Sequence, residues 1–393
     1  MKRHGRGGSV GGRKTGRKVR TMGKGLSRSS YLEKNVGDFP EKFEIAGVSY
    51  EKIDDLRYGT NPHQAAAYYR PAGVSGVIGG MVTVKNGKNG LSQTNLEDIS
   101  GALNIVKFCD RPACAVMKHV NPSGAAVAVG DESLKQVYIK ARDADPRAAF
   151  GSVIAFNVKV DEETAKEIMS TFAECVVAPD YAPEAVAVFN DGATYKLNKQ
   201  IRILKCGDVS KLPRYTGETG PEYNTLKVLA DGSLIVAAPL TTSLRSTDDL
   251  TTASGENSRC GAVRSEIAPT EQQKKDLLFS WHVNLSVRSN GVVIVKNGQT
   301  LCVGTGEQDR VGAIEQAVAK FKQKYAGHET LEGAVMSSDG FFPFEDGVEV
   351  AAAAGVKAII SPAGSLRDAD VIKRANELKV ALIHAPERIF SHH

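Results

Sequence analysis

The feature that most constrains this chain is an order of strand and helix patterns that occurs twice. The strand patterns that begin at Val153 and Val176 lie 23 residues apart, and those that begin at Val335 and Ile359 lie 24 residues apart. A helix pattern lies within each pair, and another follows it. This alternation predicts an α/β fold in layers, and the repeat predicts two related subdomains in tandem.

The remaining segments suggest four regions. Residues 1–40 are expected to be a basic disordered tail, 41–200 the first subdomain, 201–288 a smaller and mainly helical linker, and 289–393 the second subdomain. The helical character of the linker rests on the apolar spacing within 270–288, because 190–265 is polar and poorly periodic.

Charge separates the tail from the rest of the chain. Residues 1–30 hold ten Lys and Arg and no Asp or Glu, so the remaining 40 basic and 45 acidic residues give a net charge of −5. A dispensable extension is the favoured interpretation of the tail, and an RNA-binding arm is the alternative. We therefore expect no nucleic-acid partner.

Other features of the sequence indicate a cytoplasmic protein without a membrane partner. No apolar run approaches the roughly 20 residues of a membrane-spanning helix. The start of the chain lacks the apolar region of a secretory signal, and the six cysteines form no CxxC pair. Reduced thiols in the cytoplasm are therefore the default expectation.

Several local patterns predict individual elements. A strand is expected over 77–84, followed by a hairpin-type turn at 85–87. A helix is expected from Leu96 to Phe108 with Thr94 or Asn95 as its N-cap.

Lys118 and His119 are the first candidates for chemistry. They follow a short apolar strand and precede Asn121-Pro122, which predicts a turn beyond the end of that strand. Active sites of open α/β sheets lie beyond the carboxyl ends of strands. A His there can accept a proton and a neighbouring Lys can stabilise negative charge, although a surface Lys and a turn-capping His remain the plain alternative.

Aromatic residues in loops form a second group of candidates. Three Phe occur in four residues at 341–344, and they cannot all face one core at strand or helix spacing. Some of them are expected to line a cleft for a flat ligand, with a hydrophobic loop plug as the alternative. Phe150-Gly151 is a similar case, since Gly allows close backbone approach.

The C-terminal segment places Arg388, Phe390 and His392 at alternating positions. In an extended segment these side chains share one face. A strand pattern over 380–384 predicts that the end is attached to the sheet, and a frayed terminus is the alternative.

Missing motifs disfavour several chemistries. Gly304-Thr305-Gly306 lacks the third Gly of a dinucleotide fingerprint, and the chain has no GxxxxGK[ST]. It also lacks the His-x-Glu and Pro-Cys-x-x-Cys of zinc deaminases, so no metal site is expected.

Together these residues resemble a known family, the AICAR (5-aminoimidazole-4-carboxamide ribonucleotide) transformylase domain of the bifunctional purine-synthesis enzyme. The resemblance runs from about Asp55 to His392. It rests on eight ordered motifs, LRYGTNPHQ (56–64), MKHVNPSG (117–124), RAAFGSVIAFN (147–157), VRSN (287–290), GTGEQDR (304–310), SSDGFFPFEDGV (337–348), SPAGSLRD (361–368) and RIFSH (388–392). The chain departs from the family pattern at Ser123, where Cys is common, and at Gly347, where Asn is common.

The resemblance implies a fold, an activity and partners. The fold would be two tandem cytidine-deaminase-like three-layer subdomains without zinc, with active sites at an intertwined homodimer interface. The activity would be formyl transfer from 10-formyltetrahydrofolate to the 5-amino group of AICAR. We expect a stand-alone transformylase, so a separate IMP cyclohydrolase would act next. A monovalent cation is a further candidate ligand, and a catalytically weak paralogue that senses AICAR or folate is the alternative.

The resemblance also implies residue roles. Catalytic roles would fall to Lys118, His119 and Asn290. Folate binding would involve Phe341, Pro343 and Asn290. The residues implied in substrate binding are Arg57, Tyr58, Phe150, Gly151, Glu174, Arg310, Phe341, Arg388, Phe390 and His392.

Overall fold

The α/β class predicted from the sequence is confirmed by a computed structural model, which describes residues 28–325 and 329–392. Most of the expected tail, residues 1–27, lies outside the described residues. Within 28–40, Arg28–Tyr31 forms a 3-10 turn, and the Asn35 amide donates to the Arg57 carbonyl at 2.7 Å. No helix in the described parts of the chain has the length and apolar character needed to cross a membrane.

The first half of the chain contains a small sheet followed by alternating strands and helices. The small antiparallel sheet consists of β1 (Lys42–Ile45), β2 (Val48–Asp55) and β3 (Ala67–Pro71). The elements that follow are β4 (Val82–Lys85), α1 (Gln93–Val106), β5 (Ala113–Lys118), β6 (Asn121–Val127), α2 (Leu134–Asp143), β7 (Ser152–Phe156), α3 (Glu162–Met169), β8 (Ala173–Ala178), α4 (Pro183–Asn190) and β9 (Arg202–Lys205).

The second half begins with short strands and then returns to alternation. The short strands are β10 (Thr225–Val228), β11 (Leu234–Ala237), β12 (Thr251–Thr252), β13 (Ser254–Asn257) and β14 (Gly261–Arg264). The rest are α5 (Glu271–Asn284), β15 (Val292–Lys296), β16 (Gln299–Gly304), α6 (Arg310–Lys324), β17 (Val335–Ser338), α7 (Asp346–Ala354), β18 (Ala358–Pro362), α8 (Asp368–Glu377) and β19 (Ala381–Ala385).

Twelve strands form one continuous mixed sheet in the order β12-β19-β18-β17-β15-β16-β6-β5-β7-β8-β9-β4. Outward from the centre, each half has a hairpin (β6-β5 or β16-β15), then three strands in parallel, then a short antiparallel edge strand. The halves meet where β6 pairs with β16. The repeated order in the sequence thus corresponds to a repeated order in the sheet.

Helices cover both faces of this sheet. Helices α1 and α5 pack on one face in a core shared by both halves, which includes Leu103 and Trp281. The opposite face carries α2, α3 and α4 over the first half and α6, α7 and α8 over the second. Neighbouring residues of a strand point to opposite faces. Ala115 and Val116 of β5 accordingly enter different cores.

Some local predictions were wrong. Helix α1 starts earlier than expected, because Ser92 is its N-cap and exchanges hydrogen bonds with Asn95 in a capping box. Residues 85–87 form no hairpin turn, since β4 pairs with β9 and leads into α1. Gly87 is required instead by a close approach, because a Cβ there would lie 2.1 Å from the Gln200 carbonyl oxygen.

The linker expectation is also corrected. Residues 201–288 contain one α-helix, α5, and six short strands, β9 to β14. Strand β9 belongs to the large sheet, and β10-β11 and β13-β14 are separate two-stranded hairpins. The helix itself agrees with the sequence, since Thr270 is its N-cap.

Two glycines show how tightly the central strands pass beneath the helices. A Cβ at Gly124 in β6 would lie 2.1 Å from the Ala141 carbonyl oxygen, and one at Gly304 in β16 would lie 2.0 Å from the Ala313 carbonyl oxygen. The two positions lie in the equivalent strands of the two halves. Each strand therefore contacts the backbone of its helix where any side chain would collide.

We predict that Gly124→Ala and Gly304→Ala each lower the free energy of unfolding by about 1–3 kcal/mol, the usual range for overpacking. Urea denaturation would measure the loss. Gly192→Ala is the matched control, because the nearest atom to its Cβ would be in the flexible Lys199 side chain at 3.2 Å. Wild-type stability in both central variants would contradict the close approach.

Candidate active site

A strained two-residue turn carries His119. It joins β5 to β6, and both His119 and Val120 have positive φ angles of 54° and 59°. Such angles are rare for a β-branched residue. The Asp98 carboxylate on α1 accepts a hydrogen bond from the Val120 amide at 2.6 Å. The sequence placed the turn at Asn121-Pro122, but these residues already belong to β6, so the imidazole lies at the tip itself.

Lys118 lies at the end of β5 and contacts the loop that carries Phe150 and Gly151. Its Nζ donates to the Gly151 carbonyl at 2.7 Å. Gly151 has a φ of +72°, and a Cβ there would lie 3.0 Å from the Phe172 ring. Phe150 is 60% exposed and packs against Phe172, with ring centroids 5.0 Å apart. Three of the predicted site residues are therefore neighbours.

A cleft of about 850 Å³ lies beside this loop. Four predicted residues line it, namely Arg57, Tyr58, Phe150 and Glu174. The sequence interpretation missed the other lining residues, which are Tyr31, Leu32, Lys88, Asn89, Phe172, Lys196, Leu197, Lys199 and Gln200. The lining holds one acid and four cations, so the cleft suits an anionic ligand with an aromatic part.

Arg57 is the buried cation of the cleft. It is 3% exposed, and it donates to the Tyr58 hydroxyl at 3.1 Å and to the Lys88 carbonyl at 3.4 Å. Its Nε is buried and has no hydrogen-bond partner among the described residues. Burial, and then the charge of Arg202, lower the pKa of the Arg57 guanidinium. An anion in the cleft would relieve both penalties.

Glu174 is the acid of the cleft, and it is ionised. Burial acts to raise the pKa of its carboxyl, but the charges of Lys88 and Arg202 and a hydrogen bond from Asn95 outweigh this, so the pKa is lowered. The oxygens of Glu174 lie 3.3 Å from the Lys88 Nζ, 3.2 Å from the Asn95 amide nitrogen and 3.6 Å from the Arg202 Nη1. The carboxylate is thus held as an acceptor at the wall.

A second cluster, in the other half of the sheet, surrounds Arg310. This guanidinium donates to the Asn290 side-chain oxygen at 2.7 Å and forms a buried ion pair with Asp339. Asp339 is fully buried and also accepts hydrogen bonds from the Ser289 hydroxyl and the Gly291 amide. Asp339 therefore connects the loop that carries Asn290 to Arg310, the first residue of α6.

The C-terminal segment joins this second cluster. The Ile389 amide donates to the Asp339 carbonyl at 3.1 Å, so the segment is attached to the fold. The Arg388 guanidinium lies 4.4 Å from the centre of the Phe390 ring, and the Phe390 and His392 rings are 6.1 Å apart. This agrees with the shared face that the alternation predicts.

The three phenylalanines that follow β17 separate as expected. Phe342 is buried in the core, whereas Phe341 is 39% and Phe344 is 54% exposed. Phe344 lines a different cleft, of about 480 Å³, on the side of α7 and α8. At Gly347, a Cβ would lie 2.8 Å from the Phe342 ring.

The cleft around Arg57 and the cluster around Arg310 lie in different halves of the described chain. In the part of the chain that the structure describes, no hydrogen bond, ion pair or ring contact joins the cleft around Arg57 to the cluster around Arg310. No group of three or more metal-ligating side chains occurs within the same residues.

Sequence reasoning missed several supporting residues. Asp339 could have been predicted, because it directly follows a strand pattern within the motif SSDGFFPFEDGV (337–348). Asp98 carried no signal, because a carboxylate within a helix pattern gives no indication of the turn it supports. The same holds for Lys88 and Phe172, which approach the cleft from distant segments.

Comparison with known proteins agrees with this picture. The profile of the AICARFT/IMPCHase bienzyme family matches residues 26–320. The chain belongs to this family. The resemblance derived from the eight motifs is thereby confirmed.

Curated relatives of the AICARFT/IMPCHase family align over most of the chain. The bifunctional purine biosynthesis protein PurH of Acetivibrio thermocellus is 37% identical over 93% of this chain and 64% of its own length. Those of Magnetococcus marinus and Gloeothece citriformis are 40% and 39% identical, over 91% and 90% of this chain and 62% and 60% of their own lengths. The chain thus spans about three fifths of the length of these relatives.

The turn that carries His119 leads to a prediction about stability. Val120→Gly should be more stable than Val120→Ala by about 1 kcal/mol, because only glycine adopts a positive φ without a steric penalty. The comparison isolates the effect of backbone conformation, because both variants lose the two γ-methyl groups of valine. They differ from each other only by the Cβ methyl of alanine. Chemical denaturation would measure the difference. A glycine variant less stable than the alanine variant would contradict the strained turn.

Proposed function

We propose that the protein transfers the formyl group of 10-formyltetrahydrofolate to the 5-amino group of AICAR in purine biosynthesis, giving the formamido product FAICAR and tetrahydrofolate. This is the activity of a phosphoribosylaminoimidazolecarboxamide formyltransferase. One observation carries the proposal: Lys118, which directly precedes His119, donates to the Gly151 carbonyl in the loop beside a basic, aromatic cleft suited to a nucleotide. The relatives' names support a role in purine biosynthesis.

The reaction needs a base, because the lone pair of the AICAR amine is delocalised into the imidazole and carboxamide. In the proposed mechanism His119 takes a proton from the amine as the nitrogen attacks the formyl carbon. The C–N bond to AICAR forms and a tetrahedral oxyanion results. The bond to N10 of the folate then breaks, and N10 receives a proton. Lys118 stabilises the oxyanion or supplies that proton.

Asn290 is proposed to orient the formyl oxygen. Its side-chain oxygen accepts from Arg310, and its nitrogen donates to the Glu307 carbonyl at 2.9 Å. A side-chain amide has two N–H groups, so the second remains available to a substrate oxygen. Phe341 and Pro343 would contact the folate together with Asn290, and both are exposed.

The remaining predicted residues would hold the nucleotide. Arg57 and Arg388 suit the phosphate, because a guanidinium gives two parallel hydrogen bonds to an oxyanion. Tyr58, Phe341 and Phe390 would pack against the imidazole. The proposed substrate-binding role of the others rests on the family resemblance: Phe150, Gly151, Glu174, Arg310 and His392, with Glu174 expected near the folate pterin.

We also propose a homodimer whose active sites combine residues of both subunits. The hairpin β10-β11 supports this, because its two strands are exposed along their whole length. An isolated hairpin is marginally stable in water, and exposed apolar patches mark interaction sites. The exposed apolar residues here are Leu226, Val228, Leu229, Leu234, Ile235 and Val236.

Other proposals about partners rest on the sequence. FAICAR requires a cyclohydrolase for ring closure to IMP, and the IMP cyclohydrolase that acts next stays a prediction. The cytoplasmic location, the lack of a nucleic-acid partner and the monovalent cation stay predictions. The RNA-binding alternative concerns a tail of which residues 1–27 lie outside the described residues.

The proposed base leads to a direct test. His119→Ala should lower kcat by about 10²–10⁴-fold, the usual loss for a general base, while the Kd for AICAR stays within about threefold of wild type. Tetrahydrofolate release would measure kcat, and calorimetry would measure binding. Added imidazole should restore part of the activity.

The result separates the proposal from its alternative. A wild-type protein that binds AICAR or folate without turnover would favour a sensor. If wild type turns over and His119→Ala retains at least one third of its kcat, then formyl transfer stands but the base is another residue.

A further inference from the structure

One side chain links the His119 turn in the first half to the Asn290 loop in the second. The Asn121 nitrogen donates to the His119 carbonyl at 3.2 Å. The Asn121 oxygen accepts from the Arg288 amide at 3.0 Å and from the Thr305 hydroxyl at 2.7 Å. Thr305 also donates to the Arg288 carbonyl at 3.1 Å, which closes the network.

The location of this link follows from the sheet. Asn121 is the first residue of β6, and Thr305 directly follows β16, the strand that pairs with β6. The two strands are antiparallel, so the start of one lies beside the end of the other. A side chain at this position therefore reaches both halves of the molecule.

The turn needs such a link, because its conformation is strained. His119 and Val120 both have positive φ angles, and His119 is exposed. Asp98 holds the Val120 amide from the first half. The Asn121 side chain donates to the His119 carbonyl. At the same time it accepts from the amide of Arg288, which lies two residues before Asn290.

We propose that Asn121 is a positioning residue, which fixes the His119 turn relative to the Asn290 loop so that base and formyl-orienting amide meet one substrate. The inference rests on the proposed function. Its chemistry requires an amide, because the group must donate on one side and accept on the other. A misplacement of about 1 Å in such a site costs as much as 10²-fold in rate.

Three variants separate the two sides of the link. Asn121→Ala removes both sides, and we expect kcat to fall about 10- to 100-fold with the KM for AICAR within about threefold. Asn121→Asp keeps the acceptor for Arg288 and Thr305 but loses the donor to His119, so kcat should fall similarly. Thr305→Val should cost only a fewfold. Thr330→Val is the control and should match wild type. Thr330 is exposed and lies shortly before the start of β17.

A readout without catalysis accompanies the kinetics. Amide hydrogen exchange at Arg288, followed by mass spectrometry of peptides around this residue, should accelerate in Asn121→Ala. It should stay slow in Asn121→Asp, because the aspartate still accepts the Arg288 N–H. A double-mutant cycle adds the decisive comparison: if Asn121 acts through His119, then Asn121→Ala lowers kcat no further in the His119→Ala background.

The inference is overturned if Asn121→Ala keeps kcat within threefold of wild type. An equal loss in the His119→Ala background would also overturn it, as would unchanged Arg288 exchange. If the wild-type protein shows no formyl transfer, the proposed function fails. The hydrogen exchange of Arg288 in the Asn121 variants then tests whether Asn121 holds this amide. Faster exchange in the alanine variant alone would uphold the link, and equal exchange in all variants would reject it.

Discussion

The pairing of β6 with β16 is the contact on which the rest of the structure depends. It is short, with Gln299 opposite Ala126, and the Thr300 hydroxyl reinforces it by bonding to both the amide and the carbonyl of Ala125, at 2.8 and 3.1 Å. Through this seam two six-stranded halves form one sheet. The seam also brings Asn121 beside Thr305, and it thereby sets the distance between the two loops that carry the proposed chemistry.

The second half of the chain contains a buried ion pair. Arg310 and Asp339 are both buried, and a buried ion pair is tolerated only where further hydrogen bonds satisfy its remaining atoms. On the acid side, the Asp339 carboxylate meets this condition by accepting from the Ser289 hydroxyl, the Gly291 backbone amide and Arg310, and the backbone carbonyl of Asp339 accepts from the Ile389 amide. The Asp339 carboxylate therefore organises the Asn290 loop and Arg310, and the backbone carbonyl of the same residue holds the C-terminal segment. Substitution of the Asp339 side chain would remove the first two sets of contacts directly.

The sequence predicted those parts of the fold in which apolar residues recur at regular spacing. The repeated strands, the helices and the position of Lys118 beyond a strand follow from apolar spacing, since each element has a buried face. The strands β10 and β11 gave no such pattern, because both are exposed along their length. The N-cap of α1 was ambiguous for another reason: Ser92, Thr94 and Asn95 are all favoured capping residues, and propensity does not choose among them.

The candidate site was predictable only in part. The residues that touch substrate in the proposed function came from motifs, whereas the groups that hold them came from the structure. Asp98, Lys88 and Phe172 are distant in sequence from the residues that they contact, so local spacing carries no sign of them. Asn121 was visible as part of a turn signal, but its contacts with Arg288 and Thr305 depend on the register of the seam.

The central claim is that this chain carries out formyl transfer. The most direct measurement supplies purified protein with AICAR and 10-formyltetrahydrofolate labelled in the formyl carbon, and follows tetrahydrofolate release and label in FAICAR together. We predict equal amounts of both products, formed over many turnovers and only when AICAR is present. Saturable binding of AICAR and folate without either product would contradict the account and leave a binding protein in its place.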